Sequence, residues 1–349
     1  MDALWDTSCI TASTNDVKHM TSLGLESNIN NAATERVFYY HRGIKNKDID
    51  APILVLIHGY PQTSFMLVPP LSQFIMRALS LISSLQVIPR LPSHIPLFIP
   101  DVPGYGRSSP LSGSHDKRST GKAILQSLHF LMNSTEKQTI VIAGHDRGAR
   151  ICHRLAVDQA SVPHFSIRGA IFIDIVPTSV QWKSFGTAAG SVGSFHWPFL
   201  ANVEVATHMI GAQGGGVFVQ TCLNRWVGKS DIGSFSFKEH DAVKVYSDSF
   251  KYESVIRASC DDYRAGAEED IQLQDEDQKE GRKVDIDVLV LYSADYLGKR
   301  YDLQEVWQKW MGKGKLEVEG FGDGVGHFIA EEAPEKIASA IQSFYNQHA

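Results

Sequence analysis

The chain has 349 residues, of which 43% are hydrophobic and 21% are charged, a composition typical of a soluble globular protein. Its formal net charge of −6 provides no basic surface, so nucleic acid and anionic membranes are not expected as partners. The sequence has neither a signal-peptide pattern nor an apolar run long enough to span a bilayer, so a cytoplasmic location is expected. The four cysteines follow neither metal-ligand nor disulfide spacing, and no metal or cofactor is expected.

In chain order, apolar runs typical of strands alternate with helical stretches up to Val176. This alternation predicts an α/β fold with a mostly parallel sheet and helices on both faces. Buried strands are predicted at residues 53–57, 97–100, 139–143, 170–176 and 288–295.

The segment 144–148, Gly-His-Asp-Arg-Gly, lies between the strand predicted at 139–143 and a helix predicted at 149–158. Strand, Gly-x-nucleophile-x-Gly and helix is the arrangement of the nucleophile elbow in α/β-hydrolases, where the glycines permit a tight turn. The central residue here is Asp146 instead of Ser. Because a carboxylate nucleophile attacks the carbon of an alkyl halide or an epoxide, we expect Asp146 to form an alkyl-enzyme ester. The amides of Tyr60 and Arg147 occupy the positions that form the oxyanion hole of this fold.

His327 lies in the glycine-rich loop 324–328, before a helix predicted at 334–347, and is the candidate base. Two carboxylates follow predicted strands and could orient its ring. Asp174 lies near the end of the strand predicted at 170–176, and Asp295 ends the strand at 288–295, which is the commoner acid position of the fold. The pattern of residues does not choose between Asp174 and Asp295.

The regular alternation stops after Val176. Residues 178 to about 260 are rich in glycine, serine and aromatic residues, with helical patches at 197–209 and 240–250. This indicates a helical cap inserted into an α/β-hydrolase core. The predicted domains are 1–177 (core, with a loose arm at 1–30), 178–262 (cap) and 263–349 (core). The acidic segment 268–280 is predicted to be a solvated connector or helix face.

Six motifs occur in the order found in one family: residues 58–62 (HGYPQ), 101–108 (D-x-x-G-Y-G-x-S), 144–150 (GHDRGAR), 174–178 (DIVPT), 196–197 (HW) and 262–266 (DYRAG). With these motifs the chain resembles the haloacetate (fluoroacetate) dehalogenases, which share the α/β-hydrolase superfamily with the epoxide hydrolases. The resemblance extends from about residue 35 to the end.

The resemblance implies a role for each matching residue. Asp146 would be the nucleophile of a hydrolytic dehalogenase acting on a 2-haloacid, with His327 as base and Asp174 as its acid partner. Arg147 and Arg150 would bind the substrate carboxylate, because a guanidinium can form two parallel hydrogen bonds with it. The departing halide would be surrounded by donors. These donors would be His196, Trp197 and Tyr246.

Other functions stay open. An epoxide hydrolase uses the same Asp and His with cap tyrosines, for which Tyr246 with Tyr252 or Tyr263 could serve. An insertion at 82–94 leaves a second possibility, that the protein hydrolyses a larger metabolite that carries a carboxylate. A non-catalytic binding protein ranks last, because it would need neither nucleophile nor base. The expected partner is a small-molecule substrate, and a homodimer is left open.

Overall fold

The computed structural model describes residues 23–30, 35–44, 51–67, 87–238 and 241–349. Its eight strands form one sheet in the order β1-β2-β4-β3-β5-β6-β7-β8. β2 pairs antiparallel with β1 and β4, and the other neighbours pair in parallel, which confirms the predicted mostly parallel sheet. The strands are β1 (Glu26–Ile29), β2 (Phe38–Arg42), β3 (Ile53–Ile57), β4 (Leu97–Pro100), β5 (Gln138–His145), β6 (Phe165–Ile173), β7 (Asp287–Ser293) and β8 (Leu316–Phe321).

Helices interrupt and follow this sheet along the chain. Those before β7 are α1 (Val87–Arg90), α2 (Lys117–Met132), α3 (Arg147–Val157), α4 (Thr178–Lys183), α5 (Ala188–Gly193), α6 (His196–Ala201), α7 (Val203–Gln213), α8 (Gly215–Trp226), α9 (Asp231–Lys238), α10 (Ala242–Ser249), α11 (Glu253–Ala267) and α12 (Glu269–Glu280). Those after β7 are α13 (Leu303–Gln308), α14 (Ile329–Glu332) and α15 (Pro334–His348). No helix among the described residues is both long and apolar enough to cross a membrane.

The central strands are continuous apolar runs because helices cover both faces of a parallel sheet. All five residues of β3 are buried, as are the four of β4. Strands β3, β5, β6 and β7 are parallel neighbours, so their carboxyl ends meet at one edge of the sheet. The loops that carry Tyr60, Asp146, Asp174 and Asp295 follow these four strands, and this edge therefore collects the candidate catalytic groups.

The structure differs from the prediction at the N-terminal end. Residues 26–29, at the end of the predicted loose arm, form the edge strand β1, which pairs antiparallel with β2. A short alternation of polar and apolar residues predicts a strand only weakly, and this segment is a strand because it pairs with β2. Residues 1–22 of the arm and 82–86 of the predicted insertion lie outside the described residues.

Nine helices, α4 to α12, lie between β6 and β7 among the described residues. The helix predicted at 197–209 is divided at Asn202, and α11 runs across residue 262, where the cap was predicted to end. The acidic segment forms α12, and it is not only a solvated face. Asp277 on α12 is buried and accepts hydrogen bonds from Arg154 and Arg282. Such pairing is what allows a carboxylate to be buried.

Candidate active site

The turn between β5 and α3 presents Asp146 at the carboxyl edge of the sheet. Asp146 has φ 46° and ψ −114°, a conformation that non-glycine residues rarely adopt. A Cβ at Gly144 would collide with the backbone of Gly148, and a Cβ at Gly148 would collide with the carbonyl of Ile57. The two glycines therefore allow the close strand-turn-helix packing that holds Asp146 in this strained position.

Backbone amides and positive charges surround the Asp146 carboxylate. The Tyr60 amide donates to its Oδ2 at 3.0 Å. Arg147 is the first residue of α3, where amides have no intrahelical acceptor. Burial by itself would raise the pKa of Asp146, but neighbouring positive charges lower the pKa below its ordinary value of 3.8. The largest of these come from His327, Arg147 and Arg150. The carboxylate is thus ionised, as a nucleophile must be.

His327 is hydrogen-bonded to Asp174. Its Nδ1 donates to Asp174 Oδ2 at 2.6 Å, and the Ser293 amide donates to the other carboxylate oxygen at 2.9 Å. Asp174 reaches this position with a φ of 54° directly after β6. Burial would lower the pKa of His327, but the hydrogen bond and charge of Asp174 raise the pKa above 6.5. The pair leaves Nε2 of His327 for chemistry in the pocket.

Asp295 lies near the same loop without bonding to His327. It accepts a hydrogen bond from the Gly324 amide at 2.8 Å and forms an ion pair with Lys299 at 2.9 Å. Its side chain is 37% exposed. Asp295 therefore supports the backbone of the loop, whereas Asp174 contacts the ring.

A second histidine, His145, contacts the backbone of His327, the candidate base. The buried His145 donates from Nε2 to the carbonyl of His327 at 2.9 Å, and its Nδ1 lies 3.0 Å from the side-chain amide of Gln62. Burial lowers the pKa of His145 to about 3, so its ring is neutral. His145 thus positions the backbone of His327 without adding a charge.

The guanidinium of Arg147 is paired with Asp262. Its Nε donates to Asp262 Oδ2 at 2.7 Å, and its Nη2 donates to Oδ1 at 3.0 Å and to the Asp262 carbonyl at 2.7 Å. Asp262 also pairs with Lys117 and accepts from the Tyr105 hydroxyl. A buried guanidinium needs a counterion, and here the protein supplies it from α11. Arg147 is not among the residues that line the pocket, but its buried Nη1 has no hydrogen-bond partner among the described residues, so its role as a ligand of the substrate carboxylate stays a prediction.

Arg150, in contrast, lines the pocket beside Asp146. Its Nη1 donates to the Val176 carbonyl at 2.8 Å, and its guanidinium lies 4.5 Å from the ring centre of Trp197. Its buried Nε has no hydrogen-bond partner among the described residues. Burial and the charge of Arg147 lower the pKa of Arg150 to about 10, so it is charged at neutral pH. This guanidinium is available to an anion in the pocket.

Two of the three predicted halide-binding residues line the pocket, and Tyr246 does not. His196 and Trp197 belong to the pocket wall. The hydroxyl of the fully buried Tyr246 donates instead to Glu331 Oε1 at 2.6 Å, and the Gln62 side chain also bonds to Glu331. Burial raises the pKa of Glu331 to about 8. A buried carboxyl group requires such partners, and Tyr246 supplies one of them.

The pocket also contains residues for which no role was predicted. Trp226, Tyr296 and Arg300 line it, together with Tyr263, which was considered only for epoxides. The Nε1 of Trp226 has no hydrogen-bond partner among the described residues, and the same holds for Nδ1 of His196. An aromatic residue on an amphipathic helix indicates core packing, so no local signal marks Trp226.

Known proteins are similar to this chain over most of its length. Residues 54–340 match the alpha/beta hydrolase family. The chain is 26% identical over 296 residues to a fluoroacetate dehalogenase of Burkholderia sp., covering 84% of this chain and 86% of that one. It is 23% identical over 296 residues to a soluble epoxide hydrolase of Corynebacterium sp. (strain C12), covering 84% and 89%. A solved structure of a candidate epoxide hydrolase from Pseudomonas aeruginosa matches with a TM-score of 0.75 at 25% identity, over 93% of this chain and 96% of that one. The family match spans most of the chain and the sheet has the expected topology, so this chain belongs to the alpha/beta hydrolase family.

Proposed function

We propose that this hydrolase uses Asp146 as a covalent nucleophile and that its substrate is a 2-haloacid, from which it removes the halide by hydrolysis. One observation carries the proposal. The ionised carboxylate of Asp146 and the charged guanidinium of Arg150 line the same pocket as His327, which is hydrogen-bonded to Asp174. A nucleophile beside a carboxylate-binding cation suits a substrate whose reactive carbon lies next to a carboxylate.

In the first step, Oδ1 of Asp146 attacks the carbon that carries the halogen, while the Tyr60 amide holds Oδ2. A carbon–oxygen bond forms, the carbon–halogen bond breaks, and the halide leaves with the electron pair. Arg150 aligns the substrate for this in-line attack, and alignment supplies much of the acceleration. The Trp226 indole and the His196 imidazole line the pocket, each with a nitrogen that has no hydrogen-bond partner in the described part of the chain, and an indole N–H can donate to the leaving anion.

In the second step, His327 removes a proton from water through Nε2, and the water oxygen attacks the carbonyl carbon of the Asp146 ester. Asp174 stabilises the imidazolium that forms. The amides of Tyr60 and Arg147 are the proposed donors to the tetrahedral oxyanion. When this intermediate collapses, the bond to the substrate oxygen breaks and that oxygen takes the proton from His327, so that a 2-hydroxyacid is released. The Asp146 carboxyl group then loses its proton to water and is again a carboxylate. Residues 178–262 are the proposed cap that supplies the leaving-group side of the pocket.

Epoxide hydrolysis is the second candidate, and it too has a specific observation in its favour. The same Asp146 would open the ring, and a phenol would protonate the epoxide oxygen. Tyr263 and Tyr296 both line the pocket. Burial raises the pKa of both phenols, to about 12 for Tyr296, so both hold their protons at neutral pH. Tyr246, bound to Glu331, is not available for this role.

A substrate panel read out for halide and for diol separates the two functions. We expect halide release from 2-haloacids and no diol from simple epoxides, with Asp146→Asn inactive. Repeated turnover in ¹⁸O-water should place label in the Asp146 carboxylate, as seen by peptide mass spectrometry. Diol formation without halide release would replace the first candidate by the second. Label found in product alone would exclude the ester mechanism for both.

A further inference from the structure

We propose that Arg300 recognises a second anionic group of the substrate at the mouth of the pocket, so that the preferred substrate is a dicarboxylate halogenated beside one carboxylate. This inference rests on the proposed function and names the substrate class for the same pocket. Arg150 would bind the carboxylate next to the reactive carbon, and Arg300 would bind the distal one.

Arg300 lies on the solvent side of the pocket. It comes from the loop between β7 and α13, which also contributes Tyr296 and Leu297 to the pocket wall. Arg300 is exposed, whereas Asp146 and Arg150 are buried. The pocket therefore has one guanidinium beside the nucleophile and another towards solvent.

Two contacts hold the Arg300 side chain over the pocket. Its Nη1 donates at 3.1 Å to the hydroxyl of Ser194, which lies in the turn between α5 and α6. Its guanidinium carbon lies 4.9 Å from the ring centre of Tyr296. A long side chain restrained in this way loses less conformational freedom when a ligand binds, which favours recognition at this point.

Neither guanidinium that lines the pocket forms an ion pair within the part of the chain that the structure describes. Neither Arg300 nor Arg150 has a carboxylate within 4.0 Å among the described residues, whereas Arg147 is paired with Asp262 and Lys299 with Asp295. The neutral Ser194 hydroxyl occupies only one of the five donors of Arg300. A substrate with one carboxylate can form an ion pair with Arg150 alone. A second carboxylate on the solvent side would form an ion pair with Arg300 as well.

The test compares two four-carbon substrates that differ in the second carboxylate, 2-chlorosuccinate and 2-chlorobutanoate. We expect the unmodified protein to prefer 2-chlorosuccinate in kcat/KM. Arg300→Gln should lower kcat/KM for 2-chlorosuccinate about tenfold, mainly through KM, because a charge-assisted hydrogen bond is lost. The value for 2-chlorobutanoate should change less than about twofold, as for a surface substitution without partners.

Two variants separate recognition from other effects. Lys299→Gln removes the same charge one residue away, from a side chain outside the pocket wall, and should leave both substrates unchanged. Ser194→Ala should reduce kcat/KM for 2-chlorosuccinate alone, and by less than Arg300→Gln. If Arg300→Gln affects both substrates equally or neither, or if 2-chlorobutanoate is preferred, the inference is overturned.

A binding measurement keeps the inference distinguishable from dehalogenation itself. Calorimetry with the two corresponding products, 2-hydroxysuccinate and 2-hydroxybutanoate, requires no turnover. Weaker binding of 2-hydroxysuccinate alone to Arg300→Gln would support the role of Arg300 even if neither chloroacid were hydrolysed, and the dehalogenation would then be the part that fails. An equal loss of binding affinity for both products in Arg300→Gln would overturn the role of Arg300.

Discussion

Nδ1 of His327 donates to Asp174 Oδ2 at 2.6 Å, while Asp295 bonds to the Gly324 amide and to Lys299. The two carboxylates follow adjacent parallel strands and lie near the same loop. Only Asp174 is buried against the imidazole, where its charge can stabilise an imidazolium. The assignment of the base and its partner can be tested through this difference.

Asp174→Asn should lower kcat by about 10⁴-fold, the size of an acid-to-amide change in a serine triad. Asp295→Asn should change kcat less than about threefold, since an exposed carboxylate usually contributes within about 0.5 kcal/mol. The two variants are assayed side by side, with melting temperatures to check folding. An inactive Asp295→Asn beside an active Asp174→Asn would reverse the assignment.

His327→Gln should accumulate the ester, because the base acts only in the second step. Intact-protein mass spectrometry after one turnover should show the substrate attached without its halogen, and peptide mapping should locate it on Asp146. His208→Gln, at another histidine outside the pocket wall, is the matched control and should turn over normally. Full turnover by His327→Gln would mean that another group is the base.

The pH dependence of ester hydrolysis should report His327. The ring acts as a base only when neutral, and Asp174 raises its pKa, so the rate should fall as the pH drops through a midpoint above 6.5. Asp174→Asn removes the hydrogen bond and charge that raise this pKa, and the midpoint should move to lower pH. Single-turnover rates across pH 5–9 measure both midpoints. An unchanged midpoint in the variant would mean that a group other than His327 causes the fall in rate at low pH.

Asp262→Asn should destabilise the fold by about 3 kcal/mol, because Arg147 and Lys117 would remain buried without their shared counterion. Asp261→Asn, one residue away, loses only a partly exposed contact with Arg264 at 3.6 Å and should cost less than about 1 kcal/mol. Urea unfolding measures both. Equal effects would show that the Arg147–Asp262 pair contributes little to stability.

Glu331 should make stability depend on pH in a direction opposite to a salt-bridged carboxylate. Its pKa is raised from 4.5 to about 8 on folding, so the folded state holds a proton that the unfolded state releases above pH 4.5. The stabilisation is complete below pH 4.5 and is lost as the pH rises towards 8. The fall in melting temperature between pH 5 and pH 8 should therefore be smaller in Glu331→Gln. Identical falls in both proteins would exclude this linkage.

The parts of the site that depend on residues close together in the sequence could be predicted from the sequence. The apolar runs of β3 and β5 and the glycines at 144 and 148 act over a few residues, so the strand, the strained turn and the position of Asp146 follow from local order. The sequence also predicts that His327 and the loop after β3 lie close to Asp146, because parallel strands bring their carboxyl ends to one edge of the sheet.

Tertiary packing decided the remainder. The residue pattern leaves Asp174 and Asp295 open, and the resemblance implies Asp174. The hydrogen bond to the His327 ring depends on which side chain turns towards it, because both carboxylates follow adjacent strands. The guanidinium of Arg147 is held by Asp262, which is 115 residues away in sequence. Tyr246 loses its role to Glu331, which is 85 residues away. A buried polar side chain takes the partner that packing brings within hydrogen-bond distance, and no spacing along the chain encodes that partner.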